Sequence, residues 1–195
     1  MLWPRHLVTC LLALAALGCQ SEPDDRLGAI ADFQLTERSG QPVSKDDLRG
    51  KVWVAGFFFT RCSGPCPKLM GVLAELQHET VSQADVRLVS ITADPDHDTP
   101  AVLTAYAEKW QADPQRWLFL TGPRDKVYAL IQDSFKLGVQ QNEGQDRKPG
   151  EEVLHSTRLV VVDRKGEKRG YYDGTDPASV DQLKKRVARL VREKD

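Results

Sequence analysis

Hydrophobic positions along the chain change period several times, and each change marks an element. From Leu7 to Leu17 every residue but Thr9 is apolar. From Ile30 the pattern alternates: Phe33 and Leu35 stand between polar neighbours, Ser39-Gly40 turns the chain and Val43 follows, a hairpin signature. Val52-Trp53-Val54-Ala55-Gly56-Phe57-Phe58-Phe59 is then unbroken, as expected of a central strand covered on both faces. Leu69, Val72, Leu73 and Leu76 recur at helical spacing and predict a helix over 65–80. Val86–Ile91 predicts the next strand. Thr99-Pro100 is an N-cap and first-turn pair before the apolar face Val102, Leu103, Tyr106 and Trp110. Trp117–Leu120 predicts a strand and 125–135 a short helix. Residues 138–152 carry no apolar period and are expected as an exposed loop. Leu154–Val162 predicts one further strand, Arg164-Lys165-Gly166 a turn into a partner strand ending at Tyr172, and 177–192 a closing helix with Val180, Leu183, Val187 and Leu190 inward.

Strand–helix alternation ending in a hairpin and a helix predicts a layered α/β domain with a mixed central sheet. The order resembles a thioredoxin-like three-layer fold carrying an N-terminal β-hairpin extension. No internal repeat and no second domain are evident, so residues 30–193 are expected to form one domain.

The first apolar run is an address rather than part of that domain. Its eleven residues would span roughly 16 Å as a helix, about half a bilayer's hydrocarbon core. Arg5 before it and small residues after it fit a secretory signal peptide over 1–18. Ala16-Leu17-Gly18-Cys19 resembles a bacterial lipoprotein signal, although Leu usually stands three places before the cysteine, where this chain has Ala16. Cys19 is the expected lipidation site, and the polar, acidic stretch 19–29 is expected to be a flexible tether.

Composition adds two constraints. The 195 residues hold 27 basic against 28 acidic side chains and are 41% hydrophobic, enough for a packed core and without the basic excess of a nucleic-acid binder. The cysteines at 10, 19, 62 and 66 would allow two disulfides. Processing would leave only Cys62 and Cys66, in a compartment where thiols oxidise.

Those two flank Ser63-Gly64-Pro65, at the end of the first central strand. Pro65 and Pro67 are tolerated only in a first helical turn, so the helix is expected to begin near Gly64 or Pro65, with Cys62 at or just before its N-cap and Cys66 one turn in. Helix amides and Arg61 would favour thiolates there. A structural disulfide over so small a loop would restrict the unfolded chain little. A structural zinc site would need four protein ligands, and beside the pair only His78, His97 and His155 survive processing. His78 falls in a polar helix end and His97 in a charged loop, both expected solvated. His155 is different. In a thioredoxin-like sheet the leading end of its strand approaches the Cys helix, and two thiolates with one imidazole make a soft site suited to Cu(I), or to Cu(II) with a further ligand.

The chain resembles the Sco/SenC/PrrC family from about Ile30 to Leu190. The resemblance rests on Phe59-Thr60-Arg61-Cys62-Ser63-Gly64-Pro65-Cys66-Pro67, on Ala93-Asp94-Pro95-Asp96-His97-Asp98-Thr99-Pro100, and on Leu154-His155-Ser156 ahead of Leu159-Val160-Val161-Val162-Asp163. It implies a lipid-anchored copper protein at the periplasmic face of a bacterial membrane, assisting assembly of the binuclear copper centre of cytochrome c oxidase. Cys62, Cys66 and His155 would be the ligands, subunit II of the oxidase the copper-receiving partner, and periplasmic copper donors or thiol reductants further partners. Asp94 and Asp98 would lie in a loop beside the site, bracing it or docking a partner; by composition alone that acidic loop is a solvated turn. Ser63 stands where family members usually carry Pro, and Gly64-Pro65-Cys66 echoes the thioredoxin redox motif stretched by one residue. The competing activity is therefore a thiol–disulfide reductase working through Cys62 and Cys66. A peroxidase is disfavoured, because no lone peroxidatic cysteine in a Thr-x-x-Cys setting is present.

Overall fold

The structure, a computed structural model, describes residues 25–145 and 148–193. The expected signal peptide at 1–18 and Cys19 lie outside them. Among the described residues no helix is long and apolar enough to cross a membrane.

The unbroken apolar run forms β3 (Val52–Phe58), buried along its whole length. It pairs in parallel with β4 (Val86–Thr92), which pairs in parallel with β5 (Trp117–Thr121). On its other side β3 is antiparallel to β8 (Arg158–Val162), itself hairpinned to β9 (Lys168–Asp173). The N-terminal hairpin, β1 (Gln34–Glu37) and β2 (Pro42–Ser44), extends the far edge through β5. The resulting seven-stranded mixed sheet runs β2-β1-β5-β4-β3-β8-β9. Strand residues alternate between faces, and the aromatic contacts of β3 separate the two layers. Phe58 stacks on Tyr106 of α2 (Pro100–Lys109), whereas Trp53 and Phe57 both make T-shaped contacts with Phe135 on the opposite side.

Helix α1 (Cys66–Glu79) connects β3 to β4 and lies close on the sheet because Gly56 is beneath it. A Cβ on Gly56 would come 3.1 Å from both Leu73 Cδ1 and Leu159 Cδ2. The closing helix α4 (Pro177–Arg192) lies beside α1, with Lys184 paired at 2.8 Å to both Glu75 and Glu79. The cap anticipated at Thr99 is in place, and a second one, not anticipated, precedes α4. Thr99 accepts from the Val102 N–H ahead of α2, and Asp176 accepts from Ala178 and Ser179 ahead of α4. Between β5 and the site end, α3 (Arg124–Ala129) continues into a π turn at Leu130–Ser134, close to the expected 125–135 helix.

Three expectations change. The strand expected over Leu154–Val162 is two strands: it breaks at Ser156-Thr157 into β7 (Val153–His155) and β8. The segment expected as an exposed loop over 138–152 contains β6 (Val139–Gln141), which pairs with β7 in a small sheet of its own and buries Val139 and Val153. Strands of three residues are too short to show a period, which is why the sequence hides them. The stretch 25–29, expected as tether, is docked against β9: Leu27 N–H donates to Lys168 O, Ala29 bridges Glu167, and Asp25 pairs with Arg169 and Arg186.

Candidate metal centre

β3 ends at Phe58 and delivers Phe59-Thr60-Arg61-Cys62 beyond the C-terminal end of this central strand, where the chain loops before entering α1. Pro65 is the N-cap and Cys66 the first helical residue, so Cys66 opens the helix rather than lying a turn inside it, and Cys62 sits in the loop ahead of the cap. The difference matters electrostatically. In this position the Cys62 sulfur receives the free N–H groups of Cys66 and Gly64 at the helix entrance.

His155, the last residue of β7, meets this loop from the opposite side. Its Nε2 lies 3.3 Å from Cys66 Sγ, and the ligand atoms of Cys62, Cys66 and His155 all fall within 4.8 Å of one another. Nδ1 lies 3.0 Å from the carbonyl of Ser156, to which it can donate, and this orients the ring with Nε2 facing the sulfurs. Phe59 packs edge-on against the imidazole, with centroids 5.7 Å apart. Cys66 is fully buried, while Cys62 and His155 are half-buried. The outward-facing members of the trio are therefore Cys62 and the imidazole.

Both cysteines are free thiols, and their environments push their acidities apart. A hydrogen bond from the Cys66 thiol, with further ones from His155 and the two backbone N–H groups, holds Cys62 well below the usual thiol range against the opposing effect of burial. Donating that bond, and burial, push the Cys66 thiol up. One thiolate and one thiol thus share a proton across the loop, and a soft cation would displace that proton.

The acidic loop after β4 is not the solvated turn that composition implied. Asp98 is fully buried and Asp94 nearly so, while Asp96 and His97 are exposed. Asp98 accepts from Thr60 N–H (3.0 Å), from Thr60 Oγ1 and from Thr92 Oγ1. Asp94 receives the Arg61 guanidinium at 2.6 Å. Both carboxylates therefore brace the two residues that precede Cys62, and neither is exposed for docking. Burial raises the Asp98 carboxyl above the ordinary carboxylate range, although the bonds from Thr60 and Thr92 oppose this. His78, like His97, is exposed, as expected, and neither joins the trio.

Sequence reasoning missed Glu152. One of its oxygens accepts the Gly150 N–H at 3.0 Å, and the other stands 3.7 Å from Arg61. Its only advance signal was the acidic pair Glu151-Glu152 ahead of His155, inside a segment with no periodicity to place it.

Comparison with known proteins places the whole domain in a family. The SCO1/SenC family model matches residues 21–192. The SCO1 protein homolog of Bacillus subtilis is 30% identical over 174 residues, covering 88% of each chain. The crystal structure of a SCO1/SenC family lipoprotein from Bacillus anthracis superposes with a TM-score of 0.77 at 31% identity, covering 86% of this chain and 98% of that one. BsSco, a member of the Sco family of cytochrome c oxidase assembly proteins in which a disulfide switch was identified, superposes at 0.73 with 29% identity, over 87% of this chain and 98% of its own. With the family model spanning nearly the whole described chain and a relative 30% identical over 88% of each chain, the chain belongs to the SCO1/SenC family.

Proposed function

We propose that this protein binds copper through Cys62, Cys66 and His155 and delivers it during assembly of the binuclear copper centre of cytochrome c oxidase, with subunit II as recipient. The observation that carries the reading is the convergence of two sulfurs and one imidazole nitrogen within 4.8 Å. Two thiolates and a neutral imidazole suit Cu(I), and with one further ligand the same set accommodates Cu(II). The cargo would be exchanged at the half-buried Cys62 and His155, while Cys66 keeps hold from the interior. A lipid on Cys19 and the stretch up to Asp25 would hold the domain at the periplasmic face of a bacterial membrane. Neither composition nor charge gives a nucleic acid a place to bind.

A second reading is favoured by the unequal cysteines. As a reductase, the Cys62 thiolate attacks a target disulfide, breaking its S–S bond and releasing one target thiolate. Cys66 then loses its proton and attacks the Cys62 sulfur. The internal disulfide forms, the second target thiolate leaves, and two electrons pass to the target.

His155 separates the two. An anaerobic Cu(I) titration of the protein and of His155→Ala, run in parallel with a disulfide-reduction assay, is expected to show sharply weaker copper binding with a nearly unchanged thiol midpoint potential. Equal copper affinity in the variant would sink the delivery reading and leave the reductase.

A further inference from the structure

His155 does not belong to the main sheet. β6 and β7 pair only with each other among the described strands, so the ladder that fixes β3 and its cysteines does not fix the histidine. Its position depends on how the β6–β7 arm is seated. Side-chain bonds tether the arm on the α3 side, from Gln132 to the Val139 carbonyl and from Gln141 to Tyr128. Toward the cysteines its seat is the turn at 148–150. Gly150 is buried there, with φ +92°, a region that disfavours any side chain. A Cβ at this position would collide with Ser63 Oγ and lie 2.7 Å from Ser63 Cβ and 2.8 Å from Ser63 N. Ser63 Oγ reaches the Pro149 carbonyl at 3.4 Å. Glu152 completes the clasp, one oxygen on the Gly150 N–H and the other facing Arg61. Ser63, the residue directly after the first cysteine, is therefore the one the arm rests on.

We infer that Gly150 is a positioning residue of the centre: its missing side chain lets the 148–150 turn close on Ser63, and that contact, with Glu152 behind it, registers His155 against Cys62 and Cys66. Only four residues of chain lie between Gly150 and His155. A displaced turn moves the imidazole away from the sulfurs and leaves a two-thiolate site.

The inference rests on the copper-binding reading, and the experiment keeps the two apart. The full chain and the variants Gly150→Ala, Glu152→Ala and Gly144→Ala are loaded with Cu(II). Paramagnetic resonance reads nitrogen splitting from the imidazole, and absorption reads the thiolate-to-copper band. Gly150→Ala and Glu152→Ala are expected to lose nitrogen splitting while keeping the thiolate band, with affinity down about 10–100-fold, the range for groups that orient a ligand. Gly144→Ala, on the same hairpin, should match the parent protein. Ser63→Gly added to Gly150→Ala removes the Cβ and Oγ that the new side chain meets, and should restore part of the splitting. In the metal-free protein, diethylpyrocarbonate should modify His155 several-fold faster in both arm variants.

Wild-type nitrogen splitting in both arm variants overturns the inference, as does joint loss of splitting and thiolate band. Should Gly150→Ala fail to fold, Glu152→Ala, which introduces no clash, decides. Absence of any thiolate band in the parent protein defeats the copper reading instead. The metal-free rates then decide alone: faster modification sustains the clasp, and unchanged rates overturn it.

Discussion

Asp98 has no contact with either sulfur, yet it fixes where they stand, and its removal is the sharpest test of how the centre is held. In Asp98→Ala the half-buried Thr60 N–H, two residues before Cys62, loses its buried acceptor. The Thr60 hydroxyl can turn elsewhere. The Thr92 hydroxyl is less free, because its oxygen already accepts the Asp94 N–H at 3.0 Å. An unmet buried donor costs about 1–3 kcal/mol. Two of them, with a small cavity and less the relief of no longer burying a charge, give a net loss of about 2–3 kcal/mol. For a chain of this size that is a fall in Tm of roughly 4–12 °C. Urea denaturation and thermal melts at pH 7 measure it. Iodoacetamide alkylation of Cys62 reports the loop, and should quicken as Thr60 is released. A loss under about 1 kcal/mol with unchanged alkylation would refute the reasoning, since an unmet interior donor cannot be that cheap. Asp98→Asn should fall between, because its amide keeps a carbonyl for one donor and turns an NH2 toward another.

The raised acidity constant of Asp98 gives a pH prediction whose sign follows from linkage. A carboxyl raised in the folded state contributes stability that is fully present below its unfolded value of 3.8 and is lost as pH rises through the folded value. Wild type should therefore gain stability relative to Asp98→Asn as pH falls through that window, and a gap constant with pH in denaturation curves would contradict it. Arg61→Gln strips the buried Asp94 of its guanidinium. Discounted for a partner that is 41% exposed, the loss is expected at about 1–2 kcal/mol by urea denaturation, with faster Cys62 alkylation. Because Cys62 is a thiolate well below the usual thiol range of about 8.5, its alkylation rate should be nearly flat from pH 6 to 8, and mass spectrometry should find Cys66 unmodified. A rate climbing roughly tenfold per pH unit across that interval would show an ordinary thiol.

Much of this architecture could be read locally. The unbroken run Val52–Phe59 announces a doubly covered strand because burial on both faces leaves no polar position. Thr99-Pro100 announces a helix start because an N-cap bond and a fixed φ act within three residues. The Cys pair and its helix entrance are likewise one short segment.

Tertiary structure decided the rest, and the reason is sequence distance. Whether the carboxylates at 94 and 98 face water or the interior depends on Thr60 and Arg61, more than thirty residues earlier; an acidic turn looks the same in sequence either way. The split of β7 from β8 at Ser156 follows from β7 finding its partner in β6 rather than in the main sheet. Gly150 looked like a loop glycine until Ser63, 87 positions away, came to rest against it. The chain by itself determined which atoms could bind a soft metal. Only packing between remote segments, which leaves no local period to read, decided that the three atoms meet and which residues hold them there.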